Sequence, residues 1–258
     1  MAHDPLSDFA TETFSYAGKA RTVYVQGEGP AVVVMAEMPG ITPRVADFSR
    51  LLVERGYTVF LPHLFGVPGE PPSNGAYVRS VVPACVSKEF RAFALRTTPP
   101  AIDWLRALAR EAHQRCGGPG VGAVGMCFTG GFALAMATEP ELLAPVLSQP
   151  SLPVGKKGAG DLHLSDADLL AVKERDDLCV LGLRFTGDKL SPGARFESLR
   201  RELGDRFIGV ELATPEGNPR AHSVLTEELV EGPDEPTWQA FTQVVDFLGA
   251  RLQPSSGV

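Results

Sequence analysis

The chain has 258 residues, 44% of them hydrophobic, and a formal net charge of −7. A core of that size needs no disulfide or metal to hold it. The acidic balance and scattered charges argue against a nucleic-acid or anionic-membrane surface. In chain order, Arg21 to Val25 (RTVYV) alternates and reads as an early edge strand. Ala31 to Ala36 is continuously apolar, as a strand buried on both faces should be, and it runs into the loop Glu37-Met38-Pro39-Gly40. Pro43 to Arg55 carries Val45, Phe48, Leu51 and Leu52 on one helical face, with Gly56 as its stop, and Tyr57 to Leu61 is a second buried strand. Strand, helix, strand predicts a parallel pair with a right-handed crossover.

Residues 62–98 are less regular. Their glycines and prolines predict turns, with room for a short helix within Val78 to Phe93. A long irregular segment after a strand suggests a lid or a pocket wall. The remaining elements are expected as follows: a helix over Pro99 to Arg115, a strand over Leu142 to Leu147, and a helix capped by Ser165 running to Arg175. A strand over Cys179 to Phe185, a helix over Pro192 to Leu203, a strand over Phe207 to Leu212 and a helix over Thr237 to Leu252 complete the pattern. The alternation predicts one doubly wound α/β domain spanning 1–258, with a mostly parallel sheet flanked by helices on both faces.

Val121 to Met136, VGAVGMCFTGGFALAM, holds the chemistry. A short strand reverses into a helix with Cys127 at the apex, Gly125 before it and Gly130 and Gly131 after it. Small neighbours let strand and helix approach closely, and the apical side chain is held out at the end of the sheet, near a helix start that favours the thiolate. That is the design of a nucleophile elbow, with cysteine in place of the commoner serine. Gly120, Gly122 and Gly125 also fit G-x-G-x-x-G, but they lie before and inside the apolar run and no acidic residue ends a second strand about twenty residues on, so dinucleotide binding is disfavoured. The simplest competing reading of any such cysteine is a small core filler.

A thiol nucleophile needs a base, and the base an acid to orient it. Glu37, Cys127, Asp188 and His222 all fall at or beyond carboxyl ends of predicted strands, where α/β sheets gather function. Of the five histidines, only His222 lies after the last strand and before the last helix; His63, after the second buried strand, is a candidate pocket residue. Cys127, Asp188, His222 is the nucleophile–acid–histidine chain order of α/β-hydrolases.

These pieces together resemble the dienelactone hydrolase family of α/β-hydrolases. The resemblance rests on A-E-M-P-G (Ala36 to Gly40), L-x-x-R-G-Y (Leu52 to Tyr57), G-M-C-F-T-G-G (Gly125 to Gly131), F-T-G-D (Phe185 to Asp188) and A-H-S (Ala221 to Ser223), in that order over roughly residues 20 to 252. It implies a single-domain α/β-hydrolase fold and a Cys127–His222–Asp188 triad. It implies an oxyanion hole from the main-chain N–H groups of Phe128 and Met38, and Glu37 as the partner of the resting thiol. Two departures stand out. Thr129 replaces a family glycine and is expected to tighten the turn. The segment directly after His222, Ser223 to Glu228, holds no arginine and two acids, which disfavours a small anionic lactone unless Arg79, Arg91 or Arg96 supplies the contact.

The expected activity is cysteine-dependent hydrolysis of a small ester or lactone. The alternatives are a catalytically silent ligand-binding protein of the same fold and a thiol acyltransferase. The four cysteines form no C-x-x-C pair, no signal-peptide or membrane-spanning run occurs, and no metal-ligand spacing such as H-E-x-x-H is found. We therefore expect a cytoplasmic monomer or homodimer with no metal, no cofactor and no nucleic-acid or membrane partner.

Overall fold

The computed structural model describes residues 2–86, 99–151 and 159–253, with side chains for all of these except 81–86. An eight-stranded sheet runs through the molecule in the order β1-β2-β4-β3-β5-β6-β7-β8. Its first two strands, β1 (Ala10–Tyr16) and β2 (Lys19–Gln26), form an antiparallel hairpin, and β2 pairs antiparallel with β4 (Thr58–Pro62). From there the sheet is parallel through β3 (Ala31–Met35), β5 (Val121–Met126), β6 (Leu142–Ser148), β7 (Val180–Phe185) and β8 (Phe207–Leu212).

The strand at Arg21 to Val25 is therefore real but does not form the edge. The edge is β1, ATETFSY, whose alternation is polar and mostly exposed and so gives no apolar signal. Ala17 (φ 49°) and Gly18 (φ 77°) make the two-residue turn, the left-handed pair a tight hairpin requires.

Strand composition follows position. The residues of β3, β4 and β5 are buried throughout, because both faces of the central sheet are covered. On one face lie α1 (Pro43–Glu54) and α7 (Pro236–Leu252), packing Phe48, Leu52, Phe241, Val244 and Leu248 against Val32, Val34 and Val124. The other face carries α3 (Pro100–Cys116), α4 (Gly130–Met136), α5 (Asp166–Lys173) and α6 (Gly193–Leu203), with Ile102, Leu105, Phe132 and Phe196 against Val33, Met35 and Ala123. The Ser165 cap forms as read, its Oγ accepting from the Asp168 N–H at 3.0 Å, and α1 is capped by Thr42, whose Oγ1 accepts from the Val45 N–H at 3.3 Å.

Within 62–98, α2 (Asn74–Val86) is the regular element described; the stretch after it lies outside the described residues. Ser80 is buried on α2 and its hydroxyl donates to the Pro39 carbonyl at 2.6 Å, tying this helix to the loop that ends β3. Among the described residues, no helix is long and apolar enough to cross a membrane.

Candidate active site

β5 ends at Met126, and the chain turns at once through a single 3-10 turn, Cys127–Thr129, into α4. Cys127 sits at φ 53°, a conformation rarely adopted by a side-chain-bearing residue and retained where the surrounding structure enforces it. The flanking glycines make that possible. A Cβ at Gly125 would lie 2.1 Å from the Thr129 carbonyl oxygen, and one at Gly130 2.7 Å from Pro150 Cα. Thr129, expected to tighten the turn, fastens it instead. Its hydroxyl is fully buried, accepts from the Met126 N–H at 2.9 Å and donates to the Met35 carbonyl at 2.8 Å.

Asp188 and His222 come together at the same end of the sheet. His222 Nδ1 lies 2.6 Å from Asp188 Oδ2, while Oδ1 accepts from the Leu190 N–H at 2.8 Å, so both carboxylate oxygens are engaged and the ring is oriented. Burial is the largest single influence on His222 and opposes its charge. The Asp188 hydrogen bond and the nearby Cys127 sulfur outweigh it and push the imidazole up to about 10. Nε2 is buried and has no well-formed hydrogen bond among the described residues, which leaves it available to the thiol.

The thiol is also hydrogen-bonded to Ser151, a residue the sequence reading did not single out. Cys127 Sγ and Ser151 Oγ are 2.9 Å apart, and the Ser151 N–H donates to the Cys127 carbonyl, also at 2.9 Å. Glu37, which the resemblance assigns to the resting thiol, is occupied elsewhere. Its buried carboxylate accepts from Ser223 Oγ at 2.6 Å, from Gln149 Nε2 at 3.2 Å and from Thr226 Oγ1. Gln149 Oε1 in turn accepts from the Val224 N–H at 3.3 Å. Glu37 thus links the end of β3, the end of β6 and the loop of His222. The available signal for these partners was the polar run Ser148-Gln149-Pro150-Ser151 at a strand's carboxyl end.

Met38 and Phe128 follow the ends of β3 and β5, neighbouring parallel strands in register as far as Met35 and Gly125. Both therefore lie at the same carboxyl edge of the sheet. Phe128 is buried in an edge-to-face row, 6.4 Å from Phe65 and 5.1 Å from Phe132 between ring centroids. Two of the candidate pocket residues are committed to other contacts. His63 Nε2 is 3.0 Å from the Gly66 carbonyl, and Arg79 is exposed and paired with Glu70. Arg91 and Arg96 lie outside the described residues.

A second residue missed by the sequence is Arg195 on α6. It is buried, and its guanidinium donates to the carbonyls of Asp161, at 3.1 Å, and Pro150. Burial holds its pKa below the usual arginine value, countered by Asp161, Cys127 and Asp188.

Three solved structures share this architecture. A candidate dienelactone hydrolase from Klebsiella pneumoniae aligns with a TM-score of 0.62 and 18% identity over 93% of this chain and 98% of its own. A dienelactone hydrolase from Anabaena variabilis aligns with a TM-score of 0.60 and 17% identity over 95% and 98%. A dienelactone hydrolase-like promiscuous phosphotriesterase from metagenomic libraries aligns with a TM-score of 0.59 and 18% identity over 95% and 98%. These likenesses establish the α/β-hydrolase fold. Comparison with curated proteins gave no match. The dienelactone hydrolase family profile matches residues 17–155, more than half of the chain and including the elbow, and with that match the chain belongs to the dienelactone hydrolase family.

Proposed function

We propose that this protein is a cysteine-dependent hydrolase of a small ester or lactone. The observation that carries the reading is the approach of His222 to Asp188, 2.6 Å, beside a cysteine held at φ 53° on a strand-to-helix turn. In this mechanism His222 takes the proton of Cys127 through Nε2, with Asp188 stabilising the imidazolium. The thiolate attacks the substrate carbonyl carbon, and the electron pair displaced onto oxygen is held by the main-chain N–H groups of Phe128 and Met38. A donor of that kind is typically worth about 3–4 kcal/mol. His222 gives its proton to the leaving alkoxide, then draws one from water as that water attacks the thioester. The C–S bond breaks, and the acid leaves.

The net charge of −7 favours a small-molecule substrate over nucleic acid or an anionic membrane, and the reduced Cys116, Cys127 and Cys179 suit a cytoplasmic setting. The test is hydrolysis of short-chain p-nitrophenyl esters by the wild type and by Cys127→Ala, with folding verified by circular dichroism. Turnover should be lost in the variant alone. Equal rates in both would remove Cys127 from the mechanism.

A further inference from the structure

We propose that Ser151 is a catalytic residue that acts on the sulfur of Cys127, donating a hydrogen bond to the thiolate before attack and again as it leaves. The proposal rests on the cysteine-hydrolase reading above for its place in turnover, but the hydrogen bond itself does not. Three observations carry it. Ser151 Oγ is 2.9 Å from Sγ. The Ser151 main chain is fixed to the same cysteine by its N–H on the Cys127 carbonyl, so the base of its side chain is held beside the sulfur. And the carboxylate otherwise expected beside the thiol is engaged by Ser223, Thr226 and Gln149.

A neutral hydroxyl suits the position better than a carboxylate would once the proton has moved to His222. It can donate to a negative sulfur, whereas an ionised Glu37 would repel it. During acylation the sulfur's electron pair forms the C–S bond and the Ser151 hydrogen bond weakens. During deacylation water adds to the acyl carbon, His222 accepts the water's proton, the C–S bond breaks and its electron pair returns to sulfur. Ser151 O–H then meets the thiolate as it forms. The residue therefore favours the ionised nucleophile and the sulfur as leaving group, and does not itself gain or lose a proton. Its site is built from two sides. Pro150, immediately before it, lies against Gly130 of the elbow and gives its carbonyl to the buried Arg195.

The experiment is the pH dependence of iodoacetamide alkylation at Cys127, followed by mass spectrometry of the Cys127 peptide so that other cysteines do not contribute. Wild type, Ser151→Ala and Ser151→Thr are compared, with thermal unfolding recorded for each. Loss of one hydrogen bond to a charged sulfur should raise the alkylation midpoint in Ser151→Ala by about one pH unit. Ser151→Thr, which keeps the hydroxyl, should stay near wild type. Ser151→Gly removes the same hydroxyl and replaces Ser151→Ala if that variant does not fold. An unchanged midpoint in the hydroxyl-free variant overturns the proposal, and so does an equal shift in the alanine and threonine variants, which would assign the effect to packing. Ester hydrolysis is measured in parallel. A midpoint shifted in Ser151→Ala, with no ester turnover by the wild type, would sustain the Ser151–sulfur bond and count against the hydrolase reading. Turnover with an unshifted midpoint would do the reverse.

Discussion

The Thr129 hydroxyl donates to the Met35 carbonyl across 2.8 Å and so fastens the Cys127 turn to the strand that leads into Glu37 and Met38. The same oxygen accepts the Met126 N–H at 2.9 Å. One side chain thereby sets the spacing between the two strand ends on which the proposed oxyanion site depends. Thr129→Val keeps the shape and removes both bonds, leaving a buried N–H and a buried carbonyl without this partner. We expect a loss of about 1–3 kcal/mol in urea unfolding, and a fall in kcat larger than any rise in KM. Thr129→Ser should restore both. A valine variant as stable and as active as wild type would show that the turn holds its geometry without the hydroxyl.

Glu37 is predicted to act mainly as a structural link. Glu37→Ala would strip the acceptor from Ser223, Thr226 and Gln149 at once, in a site where Glu37 is 4% exposed. The expected cost is about 2–4 kcal/mol, and Glu37→Gln should cost less, since the rotatable hydroxyls can reverse to accept from its amide. The decisive comparison is with Ser151. Glu37→Gln should move the Cys127 alkylation midpoint less than Ser151→Ala does. The opposite ranking would return Glu37 to the thiol.

The fold was legible where burial writes a pattern. The continuous apolar runs of β3, β4 and β5, the amphipathic faces of α1, α3 and α7, and the Ser165 cap were all readable because tertiary position and local composition agree there. Strand β1 was not, since an exposed edge strand needs no apolar face. The candidate triad was legible as an order of residue types at strand ends. Its supports were not. Ser151 and Gln149 matter through long-range contacts with Cys127 and Glu37, and no spacing along the chain announces such contacts. Arg195 looks like one more surface charge on a polar helix until the fold buries it.

The His222–Asp188 pair makes stability depend on pH in a defined direction. The folded imidazole is raised from 6.5 to about 10, so its contribution is fully present below about pH 6.5 and is lost as pH rises through about 10. Asp188→Asn removes the charge and the strong acceptor at Nδ1, and should lower the histidine's pKa. The stability gap between wild type and Asp188→Asn in urea should therefore narrow from pH 6.5 to pH 10. A gap that widened over that interval would contradict a raised imidazole. Imidazole resonances in NMR, titrated in both proteins, give the same comparison directly.

Arg195 separates charge from position. It is 7% exposed, and its fork holds the carbonyls of Pro150, immediately before Ser151, and of Asp161. Its positive charge also lies near enough to Cys127 and Asp188 to interact with both. Arg195→Met removes the charge and both donors while keeping much of the volume. Relief of the buried charge offsets part of the loss, so the change in stability should be smaller than for Arg195→Ala. Catalysis should suffer more than stability. We expect kcat to fall roughly tenfold or more as Ser151 and Pro150 lose their anchor, because small displacements of positioning groups are costly. The Cys127 alkylation midpoint should rise, because the thiolate has lost a nearby cation. Arg195→Lys tells the two effects apart. A lysine keeps the charge, but one ammonium cannot reproduce the guanidinium fork on two carbonyls. It should therefore recover most of the midpoint and little of kcat. If lysine recovers kcat as well, the cation and not the fork is what the site requires. If methionine leaves the midpoint where it was, the guanidinium acts only as a clasp between the Pro150 and Asp161 carbonyls.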